Sequence, residues 1–440
     1  MRRRDILQFL AGSAIGTGLV AWESSAQPAE RLDQLIQKYR TAEMEIQLVN
    51  GVGEPIAHVP VEIKHVRHLF QFGCAYHQHL AVRTDETEYD RRFRRYFLQL
   101  CNAATVTFYW GGYEPQPQQY QAPALLEKIR WLKERNFYLR GHPLFWNHNP
   151  GCLPSWLIPN GYTTTERLLP LLDRWLAHLS EVIFPHLQDV DVFNELTWWY
   201  RQDHPLTPVF AGDQKIPLAT RYFQEFHRLN PQVLATINDY VPHPDYPQLI
   251  RQLLANSAPI QAIGQQTHMH LGDWSPAMIQ AILDRLSEFQ KPIIFTEVSV
   301  LSADPIPNMN FTGNYPDWLS TPAGEQRQMA YLVNFYKTLF AHPLVTGIYQ
   351  WSFSDRSAWL SAPTGLLNRE HEPKPAYHAL DRLINQEWRT SGRFTSDAQG
   401  KIRIPHAFLG VYQLQYGRQS LALGIHSKEE PLRRKVTLVP

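Results

Sequence analysis

Two hydrophobic rhythms divide the chain. From residue 70 to residue 353, short apolar runs alternate with longer amphipathic stretches. The runs are FQFGCAY (70–76), AATVTFYW (103–110), FYLRGHPLFW (137–146), VDVFNEL (190–196), VLATIND (233–239), AIGQQTHM (262–269), PIIFTEV (292–298) and VTGIYQWSF (345–353). Their length and their β-branched and aromatic content predict buried strands. The stretches between them predict helices over 84–100, 122–135, 165–182, 219–229, 275–289 and 324–340. Thr84 reads as a helix N-cap, and Ser275-Pro276 and Thr321-Pro322 as helix starts. Eight strand–helix units over about 320 residues predict an α/β fold, a (β/α)8 TIM barrel. A doubly wound open sheet would need a Gly-rich phosphate loop after its first strand, and the sequence has none there.

The two ends alternate with a period of two instead. EIQLVNGVGEPIAHVPVEIKHV (45–66) reads as a β hairpin with a Gly-containing turn. GRFTSDAQGKIRIPHAFLGVYQLQY (392–416) and SLALGIHS (420–427) alternate in the same way. Neither end can bury a face alone, so the two are expected to pack as a small β-rich accessory module. The first 26 residues differ again. Arg2, Arg3 and Arg4 precede an apolar stretch, Ile6 to Trp22, and Ser24-Ser25-Ala26 offers a cleavage site. Arg3-Arg4-Asp5-Ile6-Leu7 resembles the twin-arginine export signal, which implies a periplasmic or extracellular mature protein. The expected plan is a signal peptide over 1–26, a linker and hairpin over 27–66, the barrel over 67–386 and a C-terminal β module over 387–440.

Composition narrows the function classes. Lysine and arginine total 42 against 41 aspartate and glutamate, so no basic footprint for nucleic acid stands out. Beyond the first 26 residues no run of 18 uninterrupted apolar residues occurs, and the mature form is expected to have no membrane partner. Three cysteines, Cys74, Cys101 and Cys152, are an odd count without a CxxC pair, which favours buried thiols over a disulfide framework or a zinc knuckle. Thirteen tryptophans are more than a core alone requires, and flat rings of this kind also stack on sugars.

Barrel enzymes carry their chemistry at the C-terminal ends of the strands. The predicted third strand ends at His142 and Trp146, the fourth at Asn194-Glu195 and the fifth at Asn238-Asp239-Tyr240. The sixth ends at Gln266, His268 and His270, the seventh at Thr296-Glu297, and the eighth at Trp351, Asp355 and Trp359. One glutamate closing an apolar strand fits a structural ion pair. Two of them, ringed by Trp, His, Asn and Gln, fit paired carboxylates for glycoside hydrolysis, one protonated to donate and one ionised to attack or to activate water.

The stretches RGHPLFW (140–146), LPSWL (153–157), DVFNE (191–195), INDY (237–240), IGQQTH (263–268), FTEV (295–298) and QWSFSDRSAW (350–359) resemble glycoside hydrolase family 10, the β-1,4-xylanases, in the family's order. The flanking segments resemble its plant-type branch, which carries an extra β module. The resemblance implies a retaining enzyme that cleaves β-1,4-linked polysaccharide, xylan first, by double displacement. Glu195 would be the acid/base and Glu297 the nucleophile. His142, Trp146, Asn194, Tyr240, Gln266, His268, Trp351 and Trp359 would bind substrate. No metal or other cofactor is implied, the partner is the polysaccharide, and a monomer is expected.

The sequence departs from that pattern in four places. TFYWGGYEP (107–115) replaces a Glu-Asn-x-x-Lys-Trp run, so the Lys and Asn that would hold the non-reducing-side sugar are absent. Asn147 stands for a histidine, and Ser299 for an aspartate that would partner His268. Trp198-Trp199 adds aromatic bulk expected at the cleft. Two other readings are a carbohydrate-binding protein without turnover and a metal-dependent barrel hydrolase using His77, His79, His268, His270 and Asp355.

Overall fold

A computed structural model describes residues 29–76, 87–148, 151–157, 164–240, 245–438. The expected export signal over 1–26, the expected cap Thr84, and His77 and His79 lie outside them. The strands in chain order are β1 (Thr41–Val49), β2 (Pro60–His68), β3 (Gln71–Ala75), β4 (Ala103–Thr107), β5 (Tyr138–His142), β6 (Asp189–Asn194), β7 (Leu234–Tyr240), β8 (Ala262–Met269), β9 (Ile293–Val300), β10 (Val345–Gln350), β11 (Gly392–Thr395), β12 (Lys401–Phe408), β13 (Gly410–Tyr416), β14 (Gln419–Ile425) and β15 (Leu432–Thr437).

β3 to β10 close into an eight-stranded barrel, with helices in the connections between them. Each predicted run overlaps one of these strands, with boundaries off by up to two residues at β6, β7 and β9, and AIGQQTHM coincides with β8. The helix Thr165–Val182 shows the packing logic. It buries Leu168, Leu172, Trp175, Leu176 and Leu179, which share one face at three- and four-residue spacing. The Ser275 side chain accepts from Met278 N–H and Pro276 follows it, as its sequence predicts. The helix that ends at Leu100 begins at Glu88 and is capped by Thr87, with Asp90 closing a capping box.

The barrel interior is not wholly apolar. Arg140 is fully buried, 3.3 Å from Asp189, and also paired with Asp191. An isolated charge at that depth would be prohibitive, and the three groups compensate one another. Gly73 is required by close approach, because a Cβ there would meet the Tyr349 ring at 2.2 Å.

The terminal strands form two sheets, ordered β12-β1-β15 and β11-β2-β13-β14. Between them Met44, Ile46, Leu48, Val61, Ile63, Ile402, Tyr412, Leu414 and Ile425 make one core. The 45–66 hairpin is therefore a misreading of the pairing. β1 lies between β12 and β15, whereas β2 lies between β11 and β13. Alternation specifies which face of a strand is buried and leaves its neighbour open.

Candidate active site

The two glutamates are delivered by different backbone devices. β6 slips register against β7 between Asp191 and Phe193, which brings Asn194 opposite Asn238. The next residue, Glu195, takes left-handed dihedrals, φ 57° and ψ 30°. That conformation is strained for a side chain with a Cβ. Three bonds hold the turn: Glu195 N–H to Asn238 O (2.8 Å), Trp198 N–H to Glu195 O (2.9 Å) and Thr197 N–H to Asp239 Oδ2 (3.0 Å). β9 slips against β8 between Gln265 and Gln266, and Glu297 comes opposite Gln266 while remaining inside a regular strand. Bulges of this kind re-aim side chains beside functional sites.

A chain of amides joins the two carboxyls. Gln266 Nε2 donates to Glu195 Oε1 (3.2 Å) and to Asn194 Oδ1 (2.9 Å). Asn238 Nδ2 donates to the same Asn194 oxygen (2.9 Å) and to Glu297 Oε1 (2.9 Å). Thr296 Oγ1 in turn donates to Asn238 Oδ1 (2.8 Å). Trp146 Nε1 donates to Glu195 Oε2 (3.1 Å), and His268 Nε2 lies 2.9 Å from Glu297 Oε2. His142 Nδ1 sits 2.7 Å from Asp191 and 3.8 Å from Glu297. The Arg140 cluster below thus orients an imidazole beside Glu297.

The surroundings drive the two carboxyls apart. Burial and then the charge of Glu297 push Glu195 above the ordinary carboxylate range, against the pull of His148, Trp146 and Gln266. Glu297 is only 4% exposed, and burial pushes it up too. The imidazoles of His142 and His268 and the bond from Asn238 outweigh burial and hold it below that range.

Gln266, His268, Asn194, Trp146 and His142 thus meet at the glutamates. Trp351 is mostly buried and presents its ring between His142 (5.4 Å) and His268 (5.9 Å). Trp359 is 38% exposed, 5.0 Å from His268, and precedes two left-handed residues, Leu360 and Ser361. Tyr240 donates from its hydroxyl to His268 O at 3.4 Å.

The departures resolve differently. Ser299 does not leave His268 unpartnered, since its hydroxyl lies 3.0 Å from Nδ1. Trp199 is 1% exposed, packed on Phe193 and Phe210, and belongs to the core rather than to the cleft. Trp198 is partly exposed, donates to Tyr240 O (3.2 Å) and carries Arg201 over its ring. Asn147 is buried and donates to Trp199 O and Thr207 Oγ1, both at 3.0 Å. Asp355 is buried and accepts from Gly365 N–H.

Asn238, Asp191, His148 and Tyr109 join the site beyond the residues expected from the sequence. Asn238 bridges the glutamates only because of the β6–β7 register. Asp191 carries a signal, a charge set between Val190 and Val192 in a buried strand. Tyr109 lies edge-on to His142 (5.8 Å) and tilted against Trp146 (5.7 Å). His148 stacks on Trp146 at 4.9 Å. Cys74, Cys101 and Cys152 are free and buried. Among the described residues no group of three or more His, Cys, Asp or Glu could hold a metal ion, and no helix is long and apolar enough to cross a membrane.

Comparison with known proteins adds three findings. The family model of glycosyl hydrolase family 10 matches residues 64–382. Among curated proteins, the anti-sigma-I factor RsgI6 of Acetivibrio thermocellus is 23% identical over 401 residues, covering 88% of this chain and 46% of that protein. Endo-1,4-beta-xylanase A of a Caldicellulosiruptor species is 25% identical, covering 58% of this chain and 38% of its own. This chain therefore spans less than half the length of these two relatives. The beta-1,4-xylanase of Dictyoglomus thermophilum is 25% identical, covering 66% and 82%. Among solved structures, a GH10 endoxylanase retrieved from a sugarcane soil metagenome superposes with a TM-score of 0.62 at 19% identity, covering 72% of this chain and 97% of that one. Xylanase 10B of Thermotoga petrophila in complex with xylobiose gives 0.59 at 19% identity, covering 72% and 95%.

Proposed function

The chain belongs to glycosyl hydrolase family 10, and from that premise we propose that it is a retaining glycoside hydrolase cleaving β-1,4-linked polysaccharide, xylan first, by double displacement. The observation that carries the reading is the pair of amide-linked carboxyls held on opposite sides of the ordinary carboxylate range. Glu297, ionised, attacks the anomeric carbon while Glu195 passes its proton to the departing glycosidic oxygen. Glu195, now ionised, then takes a proton from water. The resulting hydroxide attacks the anomeric carbon and displaces Glu297, and Glu195 is protonated again for the next turnover.

Asn194 spends its oxygen on Gln266 and Asn238, so its NH2 is the part left for a sugar hydroxyl. His142 and His268 steady the nucleophile's charge. Tyr240 lines the site beside His268, and Trp146, Trp351 and Trp359 supply ring faces for sugar stacking. The names of the xylanase relatives support xylan as the substrate class. On this reading the 67–386 barrel is the catalytic part, the sandwich an accessory, and the 1–26 signal sends the protein out of the cytoplasm.

Anomer-resolved NMR of xylan digestion tests the mechanism: β-configured products should appear first, and α-configured first products would overturn it. A second reading, sugar binding without turnover, is motivated by the rebuilt end of β4. It predicts that wild-type protein binds xylo-oligosaccharides in calorimetry yet releases no reducing ends.

A further inference from the structure

The end of β4 holds a side chain that the proposed mechanism has not used. We propose that Tyr109 is a specificity-determining, sugar-contacting residue, its hydroxyl hydrogen-bonding a secondary hydroxyl of the sugar unit poised between Glu195 and Glu297. The assignment rests on the reading of this site as a glycoside hydrolase centre and extends it to a residue the resemblance does not supply.

Three observations carry it. The first is position. Tyr109 touches His142 and Trp146. His142 lies 3.8 Å from Glu297, and Trp146 donates to Glu195 at 3.1 Å. Tyr109 therefore leans on the immediate neighbours of both carboxyls. The second is an open valence. The ring is partly buried, yet among the described residues the hydroxyl makes no hydrogen bond. Asn238, Gln266, His142 and His268 are all committed to protein partners. A sugar hydroxyl can engage Tyr109 without breaking a protein bond, so the gain is not cancelled by a loss.

The third is rigidity. Phe108 N–H bonds to His142 O (3.0 Å) and Gly111 N–H to Gly151 O (2.8 Å), fixing the backbone on both sides of Tyr109. A Cβ on Gly111 would sit 2.7 Å from Gly151 O and from Leu153 O, so this close approach admits only glycine. Trp110 stacks on Trp175 at 5.2 Å and donates to Glu114 at 2.6 Å. Glu114 is itself fully buried and paired with Arg174 at 2.8 Å. The phenol is thus presented by a braced turn, and little ordering remains to be done when sugar binds. Burial, with the charges of Glu297 and Glu195 acting in the same direction, keeps the phenol protonated and able to donate.

The reading concerns one neutral hydroxyl, so its test is a pairwise one. Steady-state kinetics are measured on 4-nitrophenyl β-xylobioside and on analogues lacking either the 2- or the 3-hydroxyl of the reacting sugar, with wild-type protein and Tyr109→Phe. The expected result is a loss of about 10- to 100-fold in kcat/KM for Tyr109→Phe on the parent substrate, with an unchanged melting temperature. For one of the two analogues, wild type should lose a similar factor and Tyr109→Phe should lose no more. Tyr109→Phe within twofold of wild type on the parent overturns the proposal. So does a wild type that tolerates both deletions within twofold, which needs no variant to fold. A wild type that releases no nitrophenol defeats the underlying hydrolase reading, an outcome distinct from an active wild type indifferent to Tyr109→Phe.

Discussion

Glu195 and Glu297 are the same side chain placed at two strand ends by opposite means. Glu195 stands just beyond β6 on a left-handed residue and remains partly exposed, its carboxyl accepting from the neutral donors Trp146 and Gln266. Glu297 stays inside β9, 4% exposed, between two imidazoles and an amide. Burial alone would raise both. The partners decide the difference: the donors around Glu195 do not offset its burial and the charge of Glu297, whereas His142, His268 and Asn238 outweigh burial and hold Glu297 low. A carboxylate's role is therefore read from its neighbours more safely than from its depth.

Breaking the two ends separately should expose the asymmetry. Glu297→Ala removes the attacking group and should cost at least about 10⁴-fold in kcat on every substrate, measured by reducing-end release. Glu195→Ala should cost about 10²- to 10⁴-fold on xylan but far less on 4-nitrophenyl glycosides, whose leaving group departs without a proton. Equal losses on both substrate types would exchange the roles.

The pH profile sharpens the same contrast. With Glu297 held low and Glu195 held high, kcat/KM should rise with pH below the ordinary carboxylate range and fall above it. Glu297→Gln removes the charge that lifts Glu195, so Glu195 should titrate at lower pH in that variant, observable by carbon-13 NMR. A smaller effect is expected at Ser299. Ser299→Ala removes the hydroxyl that meets His268 Nδ1, and the acid limb should move to higher pH with a few-fold drop in rate.

The smallest effect concerns stability. Burial pushes Asp239, behind Glu195, up to about 7. The folded chain therefore keeps a proton that the unfolded chain gives up near 3.9. Stability from this group is greatest at low pH and is lost as pH rises through about 7. Asp239→Asn should flatten that slope, narrowing the difference between melting temperatures at pH 5 and pH 8.

The barrel was legible because each strand announces itself as a short apolar run, and the strand-end rule then pointed to Glu195 and Glu297. What stayed hidden depended on register or on distant partners. The bridge at Asn238 exists only through a one-residue slip in β6, which no periodicity records. Ser299 read as a lost partner because a short hydroxyl gave no sign of reaching His268. Trp199 read as cleft because a tryptophan beside Glu195 looks the same in sequence whether its ring turns out or in. The terminal strands showed their buried faces plainly, while their neighbours lay at the other end of the chain.

That last feature governs how the protein comes off the ribosome. Gln47 of β1 and the Gln399 carbonyl it meets are 352 positions apart. At roughly 5–20 residues per second, β1 and β2 wait on the order of tens of seconds for their sheet partners. Through that interval Met44, Ile46, Leu48, Val61 and Ile63 have no sheet to cover them, so the nascent chain carries an aggregation-prone leading edge until its last strand is made. Delaying completion of β12 to β15 should therefore lower the yield of folded protein more than destabilising the barrel does, measured as the soluble fraction on expression.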